Sequence, residues 1–201
     1  MVTPENTSDE GGPLVGVLAL QGAFARHIEA LARSGASTRE VRQPKHLDGL
    51  DALVIPGGES STISKLLDSS GLRPMVQDLL DAGLPVFGTC AGMILLASAV
   101  LDGRSDQASF GAIDMAVRRN GYGRQINSFE ADLAIPAIGE SPFRAVFIRA
   151  PKVESVGDGV EVLAAVEGVP VLCKQGAVLV AAFHPELTDD HRLHQVFVAG
   201  L

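Results

Sequence analysis

The sequence predicts an α/β protein: a single domain built on a doubly wound, mixed but mainly parallel sheet with helices on both faces. Two observations carry that expectation. Through residue 100, short continuous apolar runs alternate with segments whose apolar residues recur at helical spacing. Strands that are apolar on both sides need helices on both faces. Beyond residue 110, strand-like runs follow one another across short Gly/Pro turns, which adds antiparallel strands to the core.

Residues 1–12, MVTPENTSDEGG, are polar and end in glycine; they read as a disordered leader, so the domain is expected to occupy 13–201. LVGVLAL (14–20) reads as a strand. In AFARHIEALARSG, Phe24, Ile28, Leu31 and Ala32 repeat at helical spacing and Gly35 supplies the stop. The alternation continues through DALVIPGG (51–58), STISKLLDSSG (61–71), LRPMVQDLLDAG (72–83), LPVFGT (84–89) and AGMILLASAV (91–100). GAIDMAV, NSFEADLAI, RAVFIRA, VEVLAAV, VPVLCKQ and AVLVAAFHPE then read as strands, and DDHRLHQVFVAG as a closing helix.

With 201 residues, 46% of them hydrophobic and only 4% aromatic, the chain can bury one core of small aliphatic side chains. A net charge of -8, from 16 Lys+Arg against 24 Asp+Glu, gives no attraction for nucleic acid or an anionic membrane surface. No apolar run reaches the roughly 18 residues of a membrane span. The N-terminus has no basic and apolar signal-peptide regions, and two distant cysteines make no disulfide framework, so a cytoplasmic residence is expected.

Chemistry gathers at the expected carboxyl ends of strands, where open α/β sheets bind ligands. Gly88-Thr89-Cys90-Ala91-Gly92 has the form of a nucleophile elbow, a sharp strand-to-helix turn whose small neighbours avoid clashes. The free N–H groups opening the next helix favour a thiolate there. Cys173, inside VPVLCKQ, reads as core. Of five histidines, only His184 follows a long apolar run, AVLVAAF, and Glu186 stands two residues on, able to reach the ring. Cys90, His184 and Glu186 thus form a candidate triad. Gly57 and Gly58, ending another strand, and the N–H of Ala91 offer an oxyanion hole, with a helix N-cap expected at Ser60 or Ser61. Either sign of φ is open to glycine, so the 57/58 peptide can present its N–H or its carbonyl to that hole. Asp190, His191 and His194 read as a solvated helix opening rather than a metal site.

The motifs LALQG, PGGESST, GTCAGM, RRNGYGRQ, SFEADL, FIRAP and FHPEL, in that order over 14–200, resemble the glutaminase subunits of pyridoxal 5'-phosphate synthase, which are class I glutamine amidotransferases of flavodoxin-like fold. The resemblance implies hydrolysis of L-glutamine to glutamate and ammonia. The ammonia would pass to a partner synthase that builds the pyridine ring, and pyridoxal 5'-phosphate would be that partner's product rather than a cofactor here. It implies Cys90, His184 and Glu186 as the triad, and Gly58, Glu59, Ser60, Arg119, Ile148 and Arg149 as the glutamine site. Gln21 would lie at the oxyanion loop and the synthase contact. A glutaminase of imidazole glycerol phosphate synthesis and a noncatalytic scaffold with a reactive Cys90 are the rivals. GTCAGM and LALQGAF argue against the first, and Glu186 behind His184 against the second.

Overall fold

The computed structural model describes residues 11–103, 107–119, 121 and 128–201. Five parallel strands make the main part of the sheet: β1 (Leu14–Leu18), β2 (Ser37–Val41), β3 (Ala52–Ile55), β4 (Val86–Thr89) and β12 (Val178–Ala181). With β10 (Glu161–Val166) and β11 (Val169–Gln175) added antiparallel at one edge, the order is β10-β11-β12-β4-β3-β1-β2. The core strands β1, β3 and β4 are apolar and almost wholly buried, as the continuous runs required. A two-residue turn joins β10 to β11, with Glu167 and Gly168 both at positive φ, the geometry that suits the twist of a hairpin.

The helices are α1 (Phe24–Arg33), α2 (Ser60–Ser69), α3 (Leu72–Asp81), α4 (Ala91–Leu96) and α5 (Arg192–Ala199). Helix α1 packs against α5, and α2 against α3 and α4. In the parallel portion the chain order is the flavodoxin-like one, reversing direction between β1 and β3, so the ends of those two strands open a crevice.

Three differences from the sequence reading stand out. The segment 91–100 is not one helix: α4 stops at Leu96, and β5 (Ala97–Val100) pairs with β6 (Ile113–Arg118). The Ser98 hydroxyl there bonds the backbone of Met115, a tertiary contact that no local pattern announces. Two strands have no counterpart in the reading. The polar β2 (STREV) is a sheet edge, and β9 (Lys152–Val156) pairs with β6. The later strands also do not all join the main sheet. β5-β6-β9 form one small sheet, and β7 (Ser128–Leu133) with β8 (Phe143–Ile148) forms a separate hairpin. Most of the expected leader, 1–10, lies outside the described residues, as does RRNGYGRQ except 118, 119 and 121.

The hairpin leans on the end of β12 through aromatic contacts, Phe143 and Phe147 each reaching Phe183 at 5.8 and 5.6 Å between ring centres. Val146 O accepts the N–H of His184 at 2.8 Å. At the end of β4, the Cys90 N–H donates to Ala181 O at 2.8 Å, which locks the elbow to β12. The glycines flanking Cys90 are there because of crowding. A methyl group on Gly92 would collide with the Ile55 carbonyl, and one on Gly88 would meet the Gly92 backbone. Gly92→Ala is therefore expected to cost about 1–3 kcal/mol and to lower Tm by roughly 5 °C in thermal unfolding. An unchanged Tm would show that β3 and α4 can part without cost.

Candidate active site

Cys90 has φ 48 and ψ -100, a backbone geometry that L residues rarely adopt. The turn is nonetheless held, by the β12 bond and the Gly92–Ile55 approach just described. It puts the thiol at the head of α4 and 4.0 Å from the carbonyl oxygen of Ile148, at the end of β8. His184 follows β12 and is within hydrogen-bonding reach of Cys90. A methyl group built on Gly57 would strike the His184 ring and crowd the Cys90 Cβ, so the 57/58 loop lies directly against both.

Glu186 sits in a single 3₁₀ turn, Pro185–Leu187, with its side chain fully buried. Its Oε1 is 2.8 Å from His184 Nδ1. Burial alone would lower the His184 pKa; the hydrogen bonds to Cys90 and Glu186 and their charges overcome it and push the value up to about 10. Burial works against the Glu186 carboxylate too, yet the nearby His27 and His184 hold it below the usual carboxylate range. An ionised carboxylate and a protonated imidazole, with the Cys90 sulfur accepting at the far end, form one chain of hydrogen bonds. Burial pushes Cys173, which lies deep in β11, up to about 11, in keeping with an inert core thiol.

The 57/58 loop is tied to the β1–α1 turn. Gly57 O accepts from the Ala23 N–H at 3.3 Å, and Gln21 Oε1 accepts from the Glu59 N–H at 2.8 Å. Because N–H and C=O of a trans peptide point oppositely, the first bond turns the Gly58 N–H away from α1. Among the described residues nothing takes up that N–H. Ala91, the first residue of α4, likewise has an N–H that the helix itself cannot use.

The cap of α2 differs from the expectation. Ser60 is the first helical residue and is buried, whereas Glu59 is the N-cap, its carboxylate accepting from the N–H and hydroxyl of Ser61 at 3.3 and 2.9 Å. Glu59 also meets Arg119 Nη2 at 2.9 Å, so two charged residues of the expected glutamine site face one another across the rim. Desolvation opposes the Glu59 charge, but the Ser61 bonds and the charges of Arg119 and Arg149 hold its pKa low. Arg149, at φ 45, and Ile148 are exposed beside Cys90 and complete the group.

Sequence reasoning missed His27 and His194. Both are fully buried, and His194 is not in a solvated helix opening: its Nε2 lies 3.0 Å from His27 Nδ1. His27 Nε2 in turn lies 3.3 Å from Glu186 Oε2. A signal was present, since His27 falls three residues after Phe24 and four before Leu31, on the apolar stripe of α1.

The SNO glutamine amidotransferase family model matches residues 17–201. The chain is 57% identical over 186 residues to the pyridoxal 5'-phosphate synthase subunit PdxT of Mycobacteroides abscessus, covering 92% of this chain and 96% of that one. It is 55% identical over 190 residues to the same-named subunit of Salinispora tropica, covering 92% and 94%. A solved glutamine amidotransferase superposes with a TM-score of 0.87 at 49% identity, over 93% of this chain and 99% of that one. PurLQS from Thermotoga maritima, at 17% identity and a TM-score of 0.67, shares the fold over 92% and 96% of the two chains. With the strained cysteine elbow and the histidine–glutamate pair at the strand ends, these matches make the chain a member of the SNO glutamine amidotransferase family.

Proposed function

We propose that this chain is the glutaminase of a pyridoxal 5'-phosphate synthase, hydrolysing L-glutamine to L-glutamate and ammonia and delivering the ammonia to a ring-building synthase subunit. Its glutaminase domain is residues 13–201, and its work is done in the cytoplasm. No helix among the described residues is long and apolar enough to cross a membrane. The reading rests above all on one arrangement: Cys90, held in a strained elbow, within reach of an imidazole that is bonded at 2.8 Å to a buried carboxylate.

In this mechanism the Cys90 sulfur attacks the side-chain carbonyl carbon of glutamine. Negative charge gathers on the amide oxygen, toward which the N–H groups of Gly58 and Ala91 are available. The protonated His184 gives its proton to the departing nitrogen, the C–N bond breaks, and ammonia leaves a glutamyl thioester on Cys90. His184 then takes a proton from water, the resulting hydroxide opens the thioester, and glutamate leaves. Glu186 stays ionised throughout and stabilises the imidazolium. Glu59 supplies charge for the ammonium end of glutamine and Arg119 and Arg149 for its carboxylate, so the present Glu59–Arg119 pair opens on binding. Ser60, buried beneath the loop, and the Ile148 carbonyl shape the floor beside the thiol.

Ammonia made without a consumer is wasted, which favours a site completed only when the synthase docks. Gln21 holds the Glu59 N–H and so is the residue through which docking would set the loop. One missing oxyanion donor costs about 10² to 10³ in rate, enough to act as a gate.

Cys90→Ser should remove nearly all ammonia release, and Glu186→Gln should lower kcat far more than it changes KM, whereas Cys173→Ser should leave turnover intact. The synthase should stimulate the parent chain strongly and Gln21→Ala weakly. Full activity of Cys90→Ser would remove the mechanism; stimulation that survives Gln21→Ala would remove only the role of Gln21. Iodoacetamide at neutral pH should label Cys90 and spare Cys173, whose pKa of about 11 keeps it a thiol. Because the His184 pKa is raised, its proton is present throughout the neutral range and is lost as pH climbs through about 10. Ammonia release should fall over that alkaline interval, and a profile still rising there would contradict a protonated His184.

A further inference from the structure

We propose that His27 is a positioning residue for the triad: its Nε2–H edge, shared with Thr89, lies against the second carboxylate oxygen of Glu186 and steadies its charge, and His194 fixes the His27 ring in the tautomer that presents this edge. The proposal rests on the reading of Cys90, His184 and Glu186 as the reacting triad. It concerns what lies behind them.

The geometry is a buried line that runs from α5 to the thiol. His194 Nε2 is 3.0 Å from His27 Nδ1, His27 Nε2 is 3.3 Å from Glu186 Oε2, and Glu186 Oε1 is 2.8 Å from His184 Nδ1. Thr89, the last residue of β4, puts its hydroxyl 3.1 Å from the same His27 nitrogen in hydrogen-bonding geometry, while Glu186 Oε2 forms no hydrogen bond of its own. Phe87, two residues earlier on that strand and so on the same face, walls in both rings edge-on, 6.3 Å from His27 and 5.8 Å from His194.

Only one arrangement of protons satisfies this line. An ionised carboxylate accepts and never donates, so the nitrogen facing Glu186 Oε2 must carry hydrogen. A neutral His27 with Nε2–H then has a bare Nδ1, which accepts from the Nε2–H of His194. His194 keeps a bare Nδ1, the very atom that is buried without a partner. The opposite tautomers would aim a lone pair at the carboxylate and strand a buried N–H on His194. Burial supports neutral rings. Against the raising effect of Glu186 and together with the like charge of His184, it lowers the His27 pKa. Burial likewise takes His194 down to about 3, with His27 and His191 adding to the effect and Glu186 opposing it. His184, His27, His194, His191 and Cys90 are thus the titratable groups facing this carboxylate and its chain of donors.

Glu186 thus has a hydrogen bond from His184 on Oε1 and faces the His27 Nε2–H edge at 3.3 Å on Oε2. The His184 bond and the nearby His27 N–H dipole keep it ionised and fix the plane of the carboxylate toward His184. With one removed, the buried carboxylate rotates more freely and takes up a proton at higher pH, and it serves the imidazolium less well. The signature is a loss in kcat together with an acid limb moved to higher pH; a residue that merely fills space would not move that limb.

The test measures ammonia release by the chain with its synthase partner, for the parent, His27→Leu and His27→Gln. The glutamine side chain carries an N–H at about the reach of Nε2. His27→Leu should lower kcat about tenfold or more, the scale for groups that orient a reacting side chain from behind, with KM for glutamine within about twofold. Its acid limb should move up, and His27→Gln should restore most of both. Equal losses in both variants, or no loss in either, would overturn the proposal. If His27→Leu does not fold, ¹⁵N-histidine spectra of the unaltered chain decide: His27 and His194 should be neutral Nε2–H tautomers at neutral pH, and an Nδ1–H tautomer at His27 would refute the assignment. Failure of the triad reading is separable, since Cys90→Ser would then stay active.

Discussion

The backbone at Cys90 is the constraint on which the rest of the site depends. A residue at φ 48 and ψ -100 gives up on the order of 1–3 kcal/mol relative to an ordinary conformation, and such strain persists only where the surroundings over-determine it. Three neighbours do so here. The end of β12 takes the Cys90 N–H, β3 presses its Ile55 carbonyl against Gly92, and the Gly57–Gly58 loop lies against Cys90 and His184 together. All three lie at the ends of β3 and β12, on one rim of one parallel sheet. Shifting any of them would release the elbow and separate the thiol from His184 in the same movement.

The second constraint is a buried charge. A carboxylate with no solvent exposure would cost several kcal/mol if left alone, and removing one partner of such a group is more damaging than never having buried it. Glu186 is tolerated because His184 bonds one of its oxygens from the β12 end and His27 approaches the other to 3.3 Å from α1. Helix α1 has a double attachment to the site. Its leading turn binds the oxyanion loop through the Ala23 N–H, and one turn later His27 meets Glu186. The element nearest the proposed synthase contact at Gln21 is therefore also the one that braces the carboxylate.

Much of this was legible in the sequence because the signals were local. LVGVLAL, DALVIPGG and LPVFGT are continuous apolar runs, and the strands they announced carry the turns of the candidate site at their ends. GTCAG and HPE reported the elbow and the histidine–carboxylate pair through spacing alone. What was illegible depended on distant partners. The break of 91–100 into a helix and a strand is decided by β6, and the polar β2 is a strand only because β1 pairs with it. Glu59 outcompetes Ser60 and Ser61 for the α2 cap because its longer side chain reaches back to Ser61 while also meeting Arg119 from a separate part of the chain. His27 and His194, 167 residues apart, become one unit only when α1 and α5 pack together.

The central claim is that Cys90 becomes covalently acylated by glutamine. Its most direct test is to mix the chain and its synthase with glutamine, quench in acid within a turnover, digest, and locate any glutamyl adduct by mass spectrometry. The account predicts a glutamyl thioester on the peptide carrying Cys90, gained during turnover and absent without glutamine. Ammonia release with no adduct under conditions that preserve thioesters, or an adduct on Cys173 instead, would contradict it.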